Sequence, residues 1–198
     1  VIQHNKLIPS LPFIGSINHF LIQIKDNAEA KKVFLKCKKR KPDKFLCCLS
    51  GRASVHKTLL VNELFKNNLI KDNYVTFREP LPGSNGYEYL KSLINPDLLP
   101  HLPLEDHVWR DRDPDGGFGA IISTSEAVSQ CNLIVHNDNP TDNRFNNRDL
   151  DGSCEMAGIF SCILLKKPFI LHGSTPRLKI IKKLGFKTFE SIWCECYD

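Results

Sequence analysis

Apolar and polar positions along the chain follow two patterns: short continuous apolar runs, and longer segments in which apolar residues recur at helical spacing. The clearest example lies near the C-terminus. The apolar run 168–172 predicts a buried strand, and residues 173–176 supply a turn, an N-cap hydroxyl and a proline suited to a first helical turn. A helix should follow, because apolar residues recur every three positions from Leu178 and Gly185 stands where a helix C-terminus favours a left-handed residue.

The same two patterns predict elements along most of the chain. Strands are predicted at 44–50, 74–77, 132–136 and 168–172, with a further edge strand at 20–24. Helices are predicted at 26–37, 55–68, 87–93, 123–130 and 154–165. The inner face of the 55–68 helix is expected to consist of Leu59, Leu60, Leu64 and Phe65. Strands that alternate with helices in this way are typical of a parallel α/β sheet.

The length of the chain limits its domain organisation. A chain of 198 residues forms one domain of ordinary size, or one domain and part of a second. We expect residues 45–198 to form the α/β domain and residues 1–44 to form an N-terminal segment, either a partial subdomain or a linker. Residues 78–118 are rich in proline and glycine, which predicts a long loop with at most one short helix.

Composition excludes several classes of protein. No apolar run approaches the roughly 18 residues that a membrane-spanning helix needs, and the first residues do not have the pattern of a signal peptide. The 8 cysteines contain no C-x-x-C pair, so a structural zinc site is not expected. Single cysteines within apolar elements are typical of a reducing compartment, and a cytoplasmic location is therefore expected.

The positive charge of the chain is concentrated in one segment. The formal net charge is +5, and lysine and arginine crowd residues 31–44. One interpretation is a phosphate-rich partner, such as nucleic acid or an anionic membrane surface. The other is a solvent-exposed helix face and linker. The second is favoured, because the segment has one aromatic residue, Phe34, and no base-stacking pattern, so nucleic acid is not expected as a partner.

Two segments carry a family resemblance. One reads KPFILHGS from Lys167, LKIIKKLGFKTF from Leu178 and WCECYD from Trp193, and the other reads FLCCLSGRASVHKTLLVNELF from Phe45. Together they resemble the C-terminal part of a family of glycosyltransferase-like proteins carried by large viruses, phages and some bacteria. Those proteins are similar to the nucleotide-sugar half of GT-B enzymes.

The resemblance implies a fold and an activity. It implies that residues 45–198 form a Rossmann-like domain, truncated at its C-terminus, that binds a nucleotide sugar. The implied reaction is transfer of the sugar to an unknown glycan or protein acceptor, in the host cytoplasm if the protein is viral. The nucleotide sugar is then a substrate, no cofactor is implied, and a divalent metal is not expected.

The resemblance, together with position at the carboxyl ends of the strands, where open α/β sheets bind ligands, implies a set of binding residues; His172 belongs to it by its position at the end of the last strand. The guanidinium of Arg52 can hold a phosphate by two hydrogen bonds, and the helix that follows adds backbone donors. His172 is expected to line the pocket rather than to act in catalysis, and the catalytic residue is unknown. The implied set is Arg52, His56, Asp138, Glu155, His172, Ser174 and Thr175.

Two positions depart from the family pattern. Relatives carry a Glu that holds the ribose and a Lys near the diphosphate, and alignment on Phe160 places Ala157 and Gly158 at those two positions. Glu155 could replace the Glu after a small shift of register, but no Lys accompanies it. The alternative is therefore a degenerate, non-catalytic GT-B-like module with a structural or virion-assembly role.

Two aspartate-rich loops suggest a third, less favoured function, a metal-dependent hydrolase. Residues 111–116 and 147–152 copy the first half of an EF-hand loop, but Ile122 and Gly158 stand where the bidentate Glu is required. Ordinary Asp/Gly turns explain both loops better. Candidates for a general base are His101, Asp106 and His107, none of which has a partner visible in the sequence.

Overall fold

A single parallel sheet organises the molecule. The computed structural model describes residues 28–84, 86–104, 118–137, 156–172, 181–182, 185–192 and 194–195, without the side chains of 52, 118–123, 156–158 and 160. The four strands are β1 (Lys44–Arg52), β2 (Tyr74–Arg78), β3 (Cys131–Asn137) and β4 (Phe169–His172). They lie in the order β2-β1-β3-β4 with every neighbouring pair parallel. The prediction of an open, Rossmann-like parallel α/β sheet is confirmed.

Helices join the strands and cover the sheet. They are α1 (Ala28–Lys39), α2 (Val55–Lys66), α3 (Tyr87–Leu93), α4 (Phe118–Gln130) and α5 (Met156–Leu164), with a 3₁₀ turn at Leu99–His101. Helices α1 and α5 both pack against α4, while α2 packs against α3. The helices thus form two groups.

The core lies on both faces of the sheet. Successive strand residues point to opposite faces, and the two neighbours Cys47 and Cys48 accordingly belong to different apolar clusters. Cys47 lies with Val128 of α4 and Ile159 of α5, whereas Cys48 lies with Val61 of α2. Because β1 is buried on both faces, its sequence reads as a nearly continuous apolar run.

The cysteines support the role in packing that the sequence predicts for them. Cys37, Cys47, Cys48, Cys131 and Cys162 are buried and free. Cys194 differs, because it is disulfide-bonded. The reducing, cytoplasmic setting therefore stays a prediction. No helix within the described ranges is both long and apolar enough to cross a membrane.

Two buried asparagines fasten the loops around α2. The side chain of Asn73 accepts a hydrogen bond from the backbone N–H of Leu46 at 2.7 Å and donates to the carbonyl of Leu69 at 2.9 Å. The side chain of Asn62 donates to the carbonyl of Leu93 at 2.7 Å and accepts from the backbone N–H of Asn95 at 3.0 Å. Asn73 thus connects the loop after α2 to β1, and Asn62 connects α2 to the end of α3.

The described part of the long proline-rich loop, which includes α3, packs against β2 and α2. Its predicted short helix forms at Tyr87–Leu93, with the predicted bounds. Beyond the 3₁₀ turn, Phe77 of β2 and Leu104 exchange backbone hydrogen bonds of 3.3 and 3.0 Å in an antiparallel bridge. The bridge and Asn62 together hold this part of the loop against β2 and α2.

The predicted inner face of α2 is wrong at one position. Leu59 is 51% exposed, while Lys57 and Thr58 are buried. The helix is rotated so that Val61 enters the core and Asn62 reaches α3. Apolar spacing alone therefore misplaced the buried face, because contacts with a distant helix decide the rotation.

Other predictions are confirmed or lie outside the described residues. Gly185 has the predicted left-handed backbone, with φ of +84°, and Ile181 is buried. The edge strand at 20–24, both aspartate-rich loops and the base candidates Asp106 and His107 lie outside the described residues. The division of the chain at residue 44 stays a prediction, although α1 contributes Cys37 to the same core as the sheet.

We expect Asn73→Ala to lower the free energy of unfolding by about 1–3 kcal/mol, because it leaves the backbone N–H of Leu46 buried without its acceptor. Urea unfolding of the variant and the wild-type chain measures the difference. Asn132→Ala is the matched control, since Asn132 also bonds a backbone carbonyl but is exposed, and its change should stay within about 0.5 kcal/mol. Equal losses in the two variants would contradict the role given to Asn73.

Candidate functional site

The strand order places a crevice at the carboxyl ends of β1 and β3. The connection after β1 leads to β2 on one side of the sheet, and the connection after β3 leads to β4 on the other side. Connections that leave two neighbouring strands in opposite directions open a crevice between them, where open α/β sheets bind ligands. Here β1 ends at Arg52 and β3 ends at Asn137.

A buried polar cluster fills this end of the sheet. The amide nitrogen of Asn137 on β3 donates to Ser50 Oγ on β1 at 2.7 Å and lies 3.2 Å from Cys48 Sγ. Its amide oxygen lies 2.8 Å from Nδ1 of His172 on β4. We call these four residues, Cys48, Ser50, Asn137 and His172, the Asn137 cluster. One carboxamide therefore joins the ends of three parallel strands.

The bonds of Asn137 fix the tautomer of His172. Since the amide nitrogen of Asn137 faces Ser50 and Cys48, its oxygen faces the imidazole and can only accept. In this orientation of the amide, Nδ1 of His172 carries the hydrogen. Burial, followed by the neighbouring His56, lowers the pKa of His172 below its ordinary value. The ring is consequently neutral at neutral pH, and its Nε2 carries a lone pair.

The start of α2 lies beside this cluster. The ring of His56 in the first turn of α2 stands 5.4 Å from the ring of His172, measured between centroids. Nδ1 of His56 lies 3.3 Å from Oγ of the N-cap residue Ser54, which makes no side-chain cap to the helix. Lys57 is only 4% exposed. Burial raises the pKa of the Cys48 thiol, and the charge of Lys57 offsets part of that rise. The positive end of α2 thus lies beside the Asn137 cluster, and the charge of the buried Lys57 acts on one of its members, Cys48.

Gly51 leaves open space at the mouth of the crevice. Its φ is +58°, and a Cβ built on it would meet no atom of the described residues within 4 Å, its two chain neighbours apart. The backbone N–H of Gly51 bonds Oγ1 of Thr76 at 3.4 Å, and the pairing of β1 with β2 shifts between Leu49 and Arg52. The irregular end of β1 allows close approach of a ligand to the backbone at this point.

The structure brings together only part of the predicted site. His56 and His172 meet as neighbours beside the open backbone of Gly51. The backbone of Arg52 ends β1, but its side chain lies outside the described part of the chain. Asp138, Glu155, Ser174 and Thr175 also lie outside it. His101 is exposed on the 3₁₀ turn, where its ring lies 6.1 Å from that of Phe65.

The remaining members of the Asn137 cluster were not predicted. Ser50 and Asn137 lie near the ends of apolar strands, where a polar residue is the one feature of the sequence that could have indicated them, while Cys48 lies in the middle of β1. Within the described ranges, no three His, Cys, Asp or Glu side chains are grouped as a metal site requires.

Comparison with known proteins finds no matching family model, no similar curated protein and no similar solved structure.

The lowered pKa of His172 predicts a loss of stability in acid. Because this pKa lies lower in the folded chain than the ordinary value of about 6.5, the unfolded chain binds more protons between the two values. The contribution of His172 is therefore complete above about pH 6.5 and is lost as the pH falls toward its folded pKa. Urea unfolding at a series of pH values from about 8 to 5 should show a smaller loss in His172→Gln than in the wild-type chain.

The matched control for this titration is His101→Gln, because His101 is an exposed histidine outside the Asn137 cluster. It should keep the wild-type slope of unfolding free energy against pH. A wild-type slope in His172→Gln as well would show that the folded chain does not hold His172 neutral.

Proposed function

We propose that the chain binds a nucleotide sugar in the crevice between β1 and β3 and transfers the sugar to a glycan or protein acceptor. The observation that carries this proposal is the Asn137 cluster beside the start of α2, at the place where parallel sheets of this kind bind nucleotides. The resemblance of the segments from Phe45 and Lys167 to glycosyltransferase-like proteins supports the choice of ligand. A cytoplasmic setting is part of the same proposal.

The crevice offers the chemistry that a diphosphate requires. The positive end of α2 favours a negative charge beside the strand ends. Gly51 lets phosphate oxygens approach the backbone, since no side chain of the described residues beyond its chain neighbours occupies that space. We assign the diphosphate to Gly51, Arg52 and His56.

The remaining assignments rest on the resemblance. Asp138 and Glu155 would hold the nucleoside, and Ser174 and Thr175 would donate hydrogen bonds to the phosphates. In this proposal His172 borders the bound sugar phosphate, and the nucleotide sugar is a substrate that needs no resident cofactor.

A non-catalytic module is the second candidate, and one feature favours it. Ala157 and Gly158 lie in the first turn of α5, where the resembled family carries the Glu and Lys that grip ribose and diphosphate. A chain that lacks both charges could keep the fold for a role in assembly and lose the ability to bind a nucleotide sugar. Nucleotide binding separates the two candidates.

The test is a thermal-shift screen with UDP, GDP, CDP and their sugars on the wild-type chain and on Gly51→Ala. A nucleotide present at about 100 times its Kd should stabilise the wild-type chain by about 2.7 kcal/mol. We expect Gly51→Ala to lose that stabilisation, because its methyl group enters the space left for the phosphates. Without ligand, the left-handed backbone should cost the variant about 1–2 kcal/mol.

Gly185→Ala is the matched control. Gly185 also has a left-handed backbone, with φ of +84°, and open space at its Cβ position, but it follows the helical residues Ile181 and Lys182 rather than a strand end. It should suffer a similar strain and keep the full nucleotide shift. Equal loss in both variants would contradict the assignment to Gly51, and no shift in a folded wild-type chain would favour the non-catalytic module.

A further inference from the structure

We propose that His172 is the catalytic base of this site and that Asn137 is the residue that positions it. His172 would take the proton from an acceptor hydroxyl through Nε2. This inference rests on the proposed sugar transfer, and it adds a role for the Asn137 cluster that neither the resemblance nor the strand order supplies.

The first observation is the direction of the hydrogen bonds. The amide nitrogen of Asn137 donates to Ser50 Oγ and Cys48 Sγ. Its amide oxygen therefore accepts from Nδ1 of His172, and these two atoms lie 2.8 Å apart. A ring that donates through Nδ1 presents a lone pair at Nε2. Enzymes that use histidine as a base orient the ring by the same device, a fixed acceptor on the nitrogen away from the substrate.

The second observation is the position of the ring. His172 is half-buried, and its Nε2 makes no hydrogen bond within the described part of the chain. The ring lies at the carboxyl end of β4, beside His56 at the start of α2. Nε2 is therefore available to a ligand that occupies the crevice.

Burial and the groups that face His172 keep it neutral. Burial is the largest cause of its lowered pKa, and His56 on α2 adds to it, while the amide of Asn137 approaches from β3. No carboxylate faces the ring within the described residues. A neutral orienting amide holds the ring without adding the negative charge that would favour its protonation, so the base stays in its proton-accepting form.

Cys48 does not act as a nucleophile activated by this histidine. Its side chain is fully buried, and burial raises the pKa of its thiol. The amide of Asn137 lies between Cys48 Sγ and the imidazole, since it contacts both. The arrangement therefore serves a hydroxyl brought by a ligand rather than a thiolate of the chain.

The proposed step is a balanced displacement. The oxygen of the acceptor hydroxyl forms a bond to the anomeric carbon of the donor sugar, and the bond from that carbon to the diphosphate oxygen breaks. The electron pair of the broken bond leaves with the diphosphate, and the hydroxyl proton moves to Nε2 of His172. His172 then releases the proton to solvent.

The first test reads the tautomer without any substrate. Two-bond ¹H–¹⁵N correlation spectra of the ¹⁵N-histidine-labelled chain near neutral pH should show His172, assigned by its absence in His172→Gln, as the Nδ1–H tautomer. Asn137→Asp keeps an acceptor oxygen and should keep the hydrogen on Nδ1, while its negative charge should make the ring easier to protonate. Asn137→Leu removes the acceptor and should shift the ring toward Nε2–H, with circular dichroism confirming that the variant is folded. An Nε2–H ring in the wild-type chain, or the wild-type tautomer in folded Asn137→Leu, would overturn the role of Asn137.

The second test follows release of UDP from UDP-glucose and of GDP from GDP-mannose, with water as the acceptor. His172→Gln should lower the turnover by roughly 10²–10⁴-fold, the usual contribution of a general base, and should still show a thermal shift with UDP or GDP. Asn132→Ala, at an exposed residue at the opposite end of β3 from Asn137, should keep the wild-type turnover and thermal shift. Wild-type turnover in His172→Gln, or no turnover by a wild-type chain that binds UDP or GDP, would overturn the base while the nucleotide site stands. A wild-type chain that binds neither nucleotide would overturn the proposed function and the base together.

Discussion

The side chain of Asn137 is the constraint on which this end of the molecule depends. One carboxamide bonds Ser50 of β1 and His172 of β4 from its own place at the end of β3. Buried polar groups are costly unless each is satisfied, so the three strand ends are held in one arrangement. The crevice, the orientation of His172 and its distance from His56 all follow from that arrangement.

Much of the fold could be predicted because its determinants are local. Short apolar runs predicted the four described strands to within two residues of their ends, and α3 lies at its predicted bounds. The rotation of α2 could not be predicted, since it depends on Asn62 meeting residues of α3 that lie far along the chain. Leu59 was therefore misplaced, although the helix itself was found.

The candidate site was predicted less completely for the same physical reason. His56 and His172 were identified from the resemblance, but the bonds of the Asn137 cluster join residues 87 and 35 positions apart. No periodicity connects such positions, and an asparagine at a strand end is as consistent with a turn as with a site. The pairing appears only once the strand order sets β1, β3 and β4 side by side.

Amide chemical-shift mapping during titration with UDP-glucose and GDP-mannose tests the central claim most directly. The account predicts that one of them shifts the backbone signals of Gly51, His56 and His172 most strongly, because these residues border the crevice between β1 and β3. Shifts confined to the lysine-rich α1, or no shift at saturating concentrations, would contradict a nucleotide-sugar site in that crevice.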